Sequence, residues 1–172
     1  MKSKTVLVPI TRSESSRAIL SHLEALCSGA ETQIILLYVT KPPRTLGVSA
    51  PDPDSGYAME AGGEPVGPRS HAVYAHQQEN GIQASAEAEL LPVIRRLSEM
   101  GYDVSMQVCF TDEPTAEIVR LTKKYDVDLI AMSTRAREGV RRFFFAELAD
   151  RVVKRVDVPV LLFHPKDQAD AL

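Results

Sequence analysis

Short apolar runs alternate with segments of helical period along the chain. Five runs rich in leucine or β-branched residues predict strands over residues 5–10, 33–39, 104–110, 128–133 and 159–164. Most of these runs are nearly continuous, which is typical of strands covered on both faces of a parallel sheet. The run 104–110 alternates apolar and polar residues instead, and this pattern predicts an edge strand.

Four segments between these strands have the spacing of helices. They are predicted from an N-cap at Ser13 to an end that Gly29 follows, from about residue 84 to 100, from 114 to about 124, and from 140 to about 156. Pro92 would bend the second helix or mark its true start, and Gly101 would end it. Strands that alternate with helices predict one α/β domain over residues 1–172, doubly wound, with helices on both faces and right-handed crossovers.

One stretch shows neither the residue pattern of a strand nor the spacing of a helix. Residues 42–68 hold six of the 11 prolines and five of the 9 glycines in the chain. Residues 41–80 are therefore predicted to be a long flexible insertion after the second strand, and such a segment could recognise a protein partner.

Composition and charge exclude several classes of protein. The chain has 172 residues, with 20 basic and 23 acidic residues and a net charge of -3, which argues against a dedicated nucleic-acid binder. Its two cysteines, Cys27 and Cys109, are too few for a disulfide framework and predict buried thiols in a reducing compartment. Since no apolar run approaches 18 residues, we expect a cytoplasmic protein without a membrane segment.

Motifs of the common catalytic and signalling sites are missing. Ile10 and Thr11 stand where a receiver domain needs an acidic pair, and the dinucleotide, P-loop and G-x-S-x-G motifs do not occur. Neither H-x-x-H nor C-x-x-C spacing suggests a metal site. The sequence therefore predicts no catalytic residue and no metal.

Three motifs resemble those of the universal stress protein family. Residues 4–16, KTVLVPITRSESS, resemble its opening I-L-V-P-V-D-G-S-E-x-S. Residues 128–135, DLIAMSTR, resemble D-L-I-V-M-G-S-R, and residues 157–162, DVPVLL, resemble its last strand. The resemblance implies an adenine-nucleotide-alpha-hydrolase-like sheet of five parallel strands in the order 3-2-1-4-5, a homodimer, and a role in stress adaptation or signalling.

The ATP-binding motif of that family is degenerate in this chain. Family members that bind ATP carry G-x-x-G, nine residues, and then G-[S/T], and these positions are here Ser133, Ala136, Ala146 and Glu147. The carboxylate of Glu147 would repel a phosphate, and Thr11 replaces the family's aspartate after the first strand. These departures predict a protein that acts by binding, with no cofactor, ATP disfavoured, and at most weak ATP hydrolysis.

The alternative interpretation is a pocket that binds a nucleotide or another anion through side chains. Arginines and hydroxyls after the first and fourth strands could hold a phosphate. The candidate ligand-binding residues are Thr11, Ser13, Val39, Ser133, Thr134, Arg135, Arg137, Ala146 and Glu147. The arginines could equally be solvated surface charges, and Ser13 could serve only as a helix cap.

The last strand supplies a candidate dimer interface. Family resemblance points to edge-to-edge pairing through four consecutive apolar residues, Val160, Leu161, Leu162 and Phe163. The other interpretation is that these residues belong only to the core.

Overall fold

The computed structural model describes residues 3–11, 13–42, 69–134 and 142–164, without the side chains of 69–75 and 142–146. Along the chain the elements are β1 (Lys4–Ile10), α1 (Glu14–Arg17), α2 (Ile19–Leu26), a 3-10 turn (Gly29–Glu31), β2 (Thr32–Thr40), α3 (Arg69–Glu99), β3 (Asp103–Phe110), α4 (Pro114–Lys124), β4 (Leu129–Ser133), α5 (Arg142–Val153) and β5 (Val160–Phe163). All five predicted strands are present, with their ends shifted by at most one residue.

The strands form a single parallel sheet in the order β3-β2-β1-β4-β5. This order confirms the expected topology and places β3 at an edge, as its alternating sequence predicts. At the centre of the sheet, Leu7 pairs with Ile35 on one side and Ile130 on the other. Side chains from β1 are buried on both faces, which explains its continuous apolar run.

Two apolar cores lie on opposite faces of this sheet. One contains Leu20 of α2 and Leu90 of α3, packed against alternate residues of the strands. The other contains Ile118 of α4 and Val152 of α5. Helices therefore cover both faces, as the doubly wound prediction requires.

The bounds of the long helix α3 correct the predicted start of the second helix and the predicted end of the insertion. The helix begins at Arg69, about 15 residues before the predicted start, and Pro92 lies inside it. The predicted insertion over residues 41–80 is consequently wrong for its last part, while residues 43–68 lie outside the described residues. Residues 76–85 are polar and largely exposed, so no apolar spacing signals that part of the helix.

A glycine follows each of the first two helical segments. The first segment is split at Ala18 and ends at Leu26, and Gly29 follows its end as predicted. A side chain at Gly29 would collide with the backbone oxygen of Met100. Gly101 does end α3, with φ of 93° and a hydrogen bond of 3.1 Å from the Tyr102 N–H to the Leu97 carbonyl.

The remaining helix predictions differ little from the structure. Helix α4 has the predicted bounds, whereas α5 ends at Val153, three residues early, and its predicted start lies outside the described residues. Cys27 and Cys109 are free thiols but only half-buried, which corrects the expectation of full burial. Of the helices described, none combines the length and apolarity that crossing a bilayer requires.

Candidate functional site

The topology puts a crevice between the carboxyl ends of β1 and β4. Connections leave these two strands in opposite directions, and open α/β sheets bind ligands where the strand order reverses in this way. Strand β1 pairs with β2 along all seven of its residues, but with β4 only at Val6–Leu129 and Leu7–Ile130. Strand β4 is thus paired with β1 only at its amino end, and the last three residues of β1 have no paired residue in β4.

Ser16 organises the loop that follows β1. Its hydroxyl accepts a 3.0 Å hydrogen bond from the Thr11 N–H and donates at 2.7 Å to the Ser13 carbonyl. The Ser16 N–H also donates to the Ser13 carbonyl, at 3.0 Å. Because Ser16 is 0% exposed, these bonds form inside the protein and fix the loop.

Ser13 and Thr11 take part in the same network. Ser13 occupies the N-cap position of α1, but its side chain makes no capping hydrogen bond, which corrects its predicted role. Its N–H donates at 3.3 Å to the hydroxyl of Thr11, which lies 3.4 Å from the Ser16 hydroxyl. Thr11 and Ser13 are therefore brought together as predicted, but they bond to the protein itself.

The side chain of Ser133 connects the end of β4 to the segment that follows β1. Ser133 is the last residue of β4, is 0% exposed, and its hydroxyl donates to the backbone carbonyl of Ser16 at 3.5 Å. The sequence predicts Ser133 as a candidate ligand-binding residue, and in the structure its hydroxyl joins the two walls of the crevice.

Thr134 bonds to the end of β5. Its hydroxyl lies 2.7 Å from Nδ1 of His164, and its N–H donates to the Phe163 carbonyl at 2.8 Å. The ring of Phe163 is in turn 3.9 Å from the ring of His22 on α2. Thr134 therefore ties the end of β4 to the end of β5.

The other candidate residues are dispersed. Val39 is half-buried and packs against the core on the α4/α5 face. Glu147 is exposed and pairs with Arg151 one helical turn later. Ala146 lies within α5, with its side chain outside the described part, and Arg135 and Arg137 are outside the described residues altogether.

Sequence reasoning missed Ser16, the residue that connects the predicted ones. Its place in the hydroxyl-rich run TRSESS was the available signal. Serine hydroxyls compete for nearby backbone groups at helix starts, but spacing alone does not tell which serine of such a run does so.

The clearest electrostatic coupling lies away from this crevice, where β3 faces α4. Burial and the neighbouring Glu117 carboxylate raise the pKa of the Cys109 thiol to about 11. Arg120 donates to both oxygens of Glu117 and lowers the pKa of that carboxyl. Within the described residues, no three His, Cys, Asp or Glu side chains are grouped so that they could hold a metal ion.

Comparison with protein families gives one match across nearly the whole chain. The model of the universal stress protein family matches residues 2–164. Universal stress protein MJ0531 of Methanocaldococcus jannaschii is 39% identical over 81 residues, which are 47% of this chain and 47% of that protein. The chain therefore aligns with about half the length of this curated relative.

Solved structures share the fold at low identity. Hypothetical protein MJ0577 superposes with a TM-score of 0.70 at 19% identity, covering 98% of this chain and 100% of the other. A universal stress protein family protein from Arabidopsis thaliana with AMP bound superposes with a TM-score of 0.58 at 15% identity, covering 98% and 95%. At these identities the likeness establishes the architecture.

Proposed function

The chain belongs to the universal stress protein family, and we propose that it acts in stress adaptation or signalling by binding, without catalysis and without the usual ATP site. The observation that carries this proposal is the burial of Ser133 and its bond to the Ser16 carbonyl. A nucleotide phosphate needs donors that face the crevice, and here the hydroxyls of both walls bond to the protein.

Two substitutions support the proposal. Thr11 stands where the family resemblance implies an aspartate, so this end of the crevice lacks that carboxylate. Glu147 places an exposed negative charge where the resemblance implies a hydroxyl for a phosphate. A carboxylate repels a phosphate group that approaches it.

A nucleotide titration of the natural chain and of a restored variant tests the proposal. The variant carries Ser133→Gly, Ala136→Gly, Ala146→Gly and Glu147→Ser. Calorimetry with ATP, ADP and AMP should give a Kd weaker than about 1 mM for the natural chain and at least about tenfold tighter binding of ATP by the variant. Native mass spectrometry reports any nucleotide that co-purifies. A carried nucleotide, or a Kd of about 1 μM for the natural chain, contradicts the proposal.

The second candidate is a pocket in which arginines and hydroxyls bind a nucleotide or another anion, with at most weak ATP hydrolysis. The AMP held by the Arabidopsis protein of the same fold favours it. If this candidate is correct, Arg135→Ala and Arg137→Ala should each weaken AMP binding by about tenfold or more. Arg151→Ala is the matched control, because Arg151 pairs with Glu147 on the surface of α5.

We also propose that two copies associate along β5. Val160 and Leu162 lie on the α4/α5 face of this edge strand, and Leu162 is 44% exposed. On the same face of the opposite edge strand, β3 carries the polar residues Ser105 and Gln107. An apolar edge opposite a polar one favours β5 as the edge that meets a second copy.

Light scattering after gel filtration distinguishes the two edges. The natural chain should have the mass of two 18.9 kDa chains. Leu162→Lys should give single chains, whereas Gln107→Lys on β3 should leave the pair intact. A natural chain that is monomeric, or equal effects of the two lysines, would refute pairing along β5.

We further propose that the 41–80 segment recognises a protein partner. We also propose a cytoplasmic location. Since α3 begins at Arg69, the deletion that tests the partner should stop before it. Removing residues 44–66 should preserve the thermal unfolding transition and abolish partner capture. A deletion variant that folds and still captures the partner would show that this segment is not the recognition element.

A further inference from the structure

We propose that α3 carries a self-association surface, through which two copies of the chain pair with their α3 helices antiparallel. The surface is the ridge of Glu87, Leu91 and Arg95, which follow one another at steps of four residues along the helix. This contact is distinct from the proposed pairing along β5, because α3 packs against β3 at the opposite edge of the sheet. The inference goes beyond the proposed function and does not depend on it.

The ridge lies on the flank of α3 that faces away from α1 and α2. On the other flank, Glu89 accepts a 3.0 Å hydrogen bond from Nη2 of Arg17, and Arg96 donates to the carboxylate of Glu24. These two ion pairs hold α3 against the first two helices. Leu91 lies about 200° around the helix from Glu89, so it points away from that boundary.

The three side chains of the ridge are open to solvent. Glu87 and Arg95 are exposed, and Leu91 is 43% exposed. Glu87 accepts a 2.8 Å hydrogen bond from Nε2 of Gln83, but neither Glu87 nor Arg95 forms an ion pair within the described part of the chain. Both charges are therefore available to a partner that approaches this flank.

Small side chains beside Leu91 leave room for a second helix. Ala84, Ala88 and Ser98 are exposed and lie three or seven residues from Leu91, on the same side of the helix. When two helices cross at about −50°, a ridge of four-residue spacing fits into the groove next to the matching ridge of the other helix. Such packing would remove Leu91 from water, which favours association.

The order of charges along the ridge identifies the partner as a second copy of the chain. From Glu87 through Leu91 to Arg95, the ridge is negative, apolar and positive. If two copies meet antiparallel about a twofold axis at Leu91, Glu87 of each copy faces Arg95 of the other. A parallel pair would place like charges together, which is unfavourable. The ridge is therefore complementary to itself in the antiparallel orientation.

The size of the contact sets its strength. A crossing of two helices buries less than the about 1,200 Å² at which stable interfaces begin, so the Kd should be about 100 μM. At the lower concentrations that leave a gel-filtration column, the contact is largely dissociated. At higher concentrations, the species present in dilute solution should associate once more and double in mass.

Sedimentation equilibrium of the full-length chain between about 5 and 500 μM tests the contact, and the mass should double across this range. Glu87→Arg and Arg95→Glu each place like charges across the axis, so each should weaken the doubling by about tenfold or more. An equimolar mixture of these two variants should restore it, because every arginine then faces a glutamate. Glu31→Arg is the matched control, since it makes the same change of charge at an exposed residue of the 3-10 turn.

The apolar part of the ridge is tested separately. Leu91→Ser should weaken the doubling by about tenfold or more, whereas Leu26→Ser, at a leucine that is 67% exposed at the end of α2, should leave it unchanged. Thermal unfolding checks that each variant keeps the fold, which these exposed positions favour.

Three results would each overturn the inference. They are a natural chain whose mass does not change with concentration, single charge variants that associate as the natural chain does, and a mixture of the two variants that fails to recover. Failure of the pairing along β5 would not affect the test, because the doubling would then run from one chain to two.

Discussion

The hydroxyl of Tyr102 donates a 2.7 Å hydrogen bond to the backbone carbonyl of Cys27. Tyr102 is 5% exposed and follows the glycine turn that ends α3, while Cys27 follows the last residue of α2. The two residues are 75 positions apart in the chain. Their bond therefore joins the ends of the two helices that cover one face of the sheet.

Tyr102→Phe should lower the free energy of unfolding by about 1 kcal/mol at pH 7, because the Cys27 carbonyl loses its donor. Burial, followed by Cys27 and Glu24, raises the pKa of Tyr102 above 10.0. The neutral phenol thus stabilises the fold fully below pH 10, and this contribution is lost as the pH rises through the folded-state pKa. Urea unfolding should show the difference between the two chains shrinking above pH 10. Tyr125→Phe, at a half-buried position, is the control.

At the start of β1, Asp128 makes with Thr5 the two hydrogen bonds that a neighbouring strand would otherwise make. Its carboxylate accepts a 2.8 Å hydrogen bond from the Thr5 N–H, and its own N–H donates to the Thr5 carbonyl at 2.9 Å. Asp128→Ala should cost about 1–2 kcal/mol of unfolding free energy, because the largely buried Thr5 N–H loses its acceptor. Asp128→Asn keeps an acceptor oxygen and should cost less than half as much. Equal losses in chemical denaturation would show that the charge matters, not the bond.

Gly81 offers a stabilising substitution inside α3. A Cβ built there meets nothing within 4 Å, and glycine is a poor residue for a helix interior. Gly81→Ala should therefore raise the free energy of unfolding by about 0.5–1 kcal/mol. Gly29→Ala is the opposite case, because its Cβ would collide with the Met100 backbone oxygen, and it should cost about 1–3 kcal/mol. Thermal unfolding of both variants checks the two signs together.

The Cys109 thiol should resist alkylation at neutral pH. With its pKa raised to about 11 by burial and by Glu117, little thiolate is present below pH 9. Glu117→Gln removes the neighbouring charge, lowers that pKa, and should increase the rate of carboxamidomethylation at pH 8 by about threefold or more. Peptide mass spectrometry across pH 7–11 follows the modification. Glu87→Gln, on the exposed face of α3, should leave the rate unchanged.

Local patterns predicted the strands and the α4 helix well. The run 129–133 is apolar because β4 is covered on both faces, and 104–110 alternates because β3 lies at an edge. Helix α4 begins at Pro114, where a fixed φ and a missing N–H suit the first turn. In α3, by contrast, the apolar spacing begins only near Ala86, since residues 76–85 are largely exposed. A pattern of buried positions could not mark this exposed part of the helix.

The candidate site, like the fold, was predictable from the sequence only in part. The sequence by itself determined the α/β alternation, the family, and the placement of Thr11, Ser13 and Ser133 after the first and fourth strands, because hydrophobic period and motif spacing are local properties. Only the tertiary structure decided that Ser16 bonds the loop, that Ser133 points into the protein, and that Thr134 reaches His164. A hydroxyl can donate in several directions, and which acceptor it finds depends on strands that meet only in the folded chain.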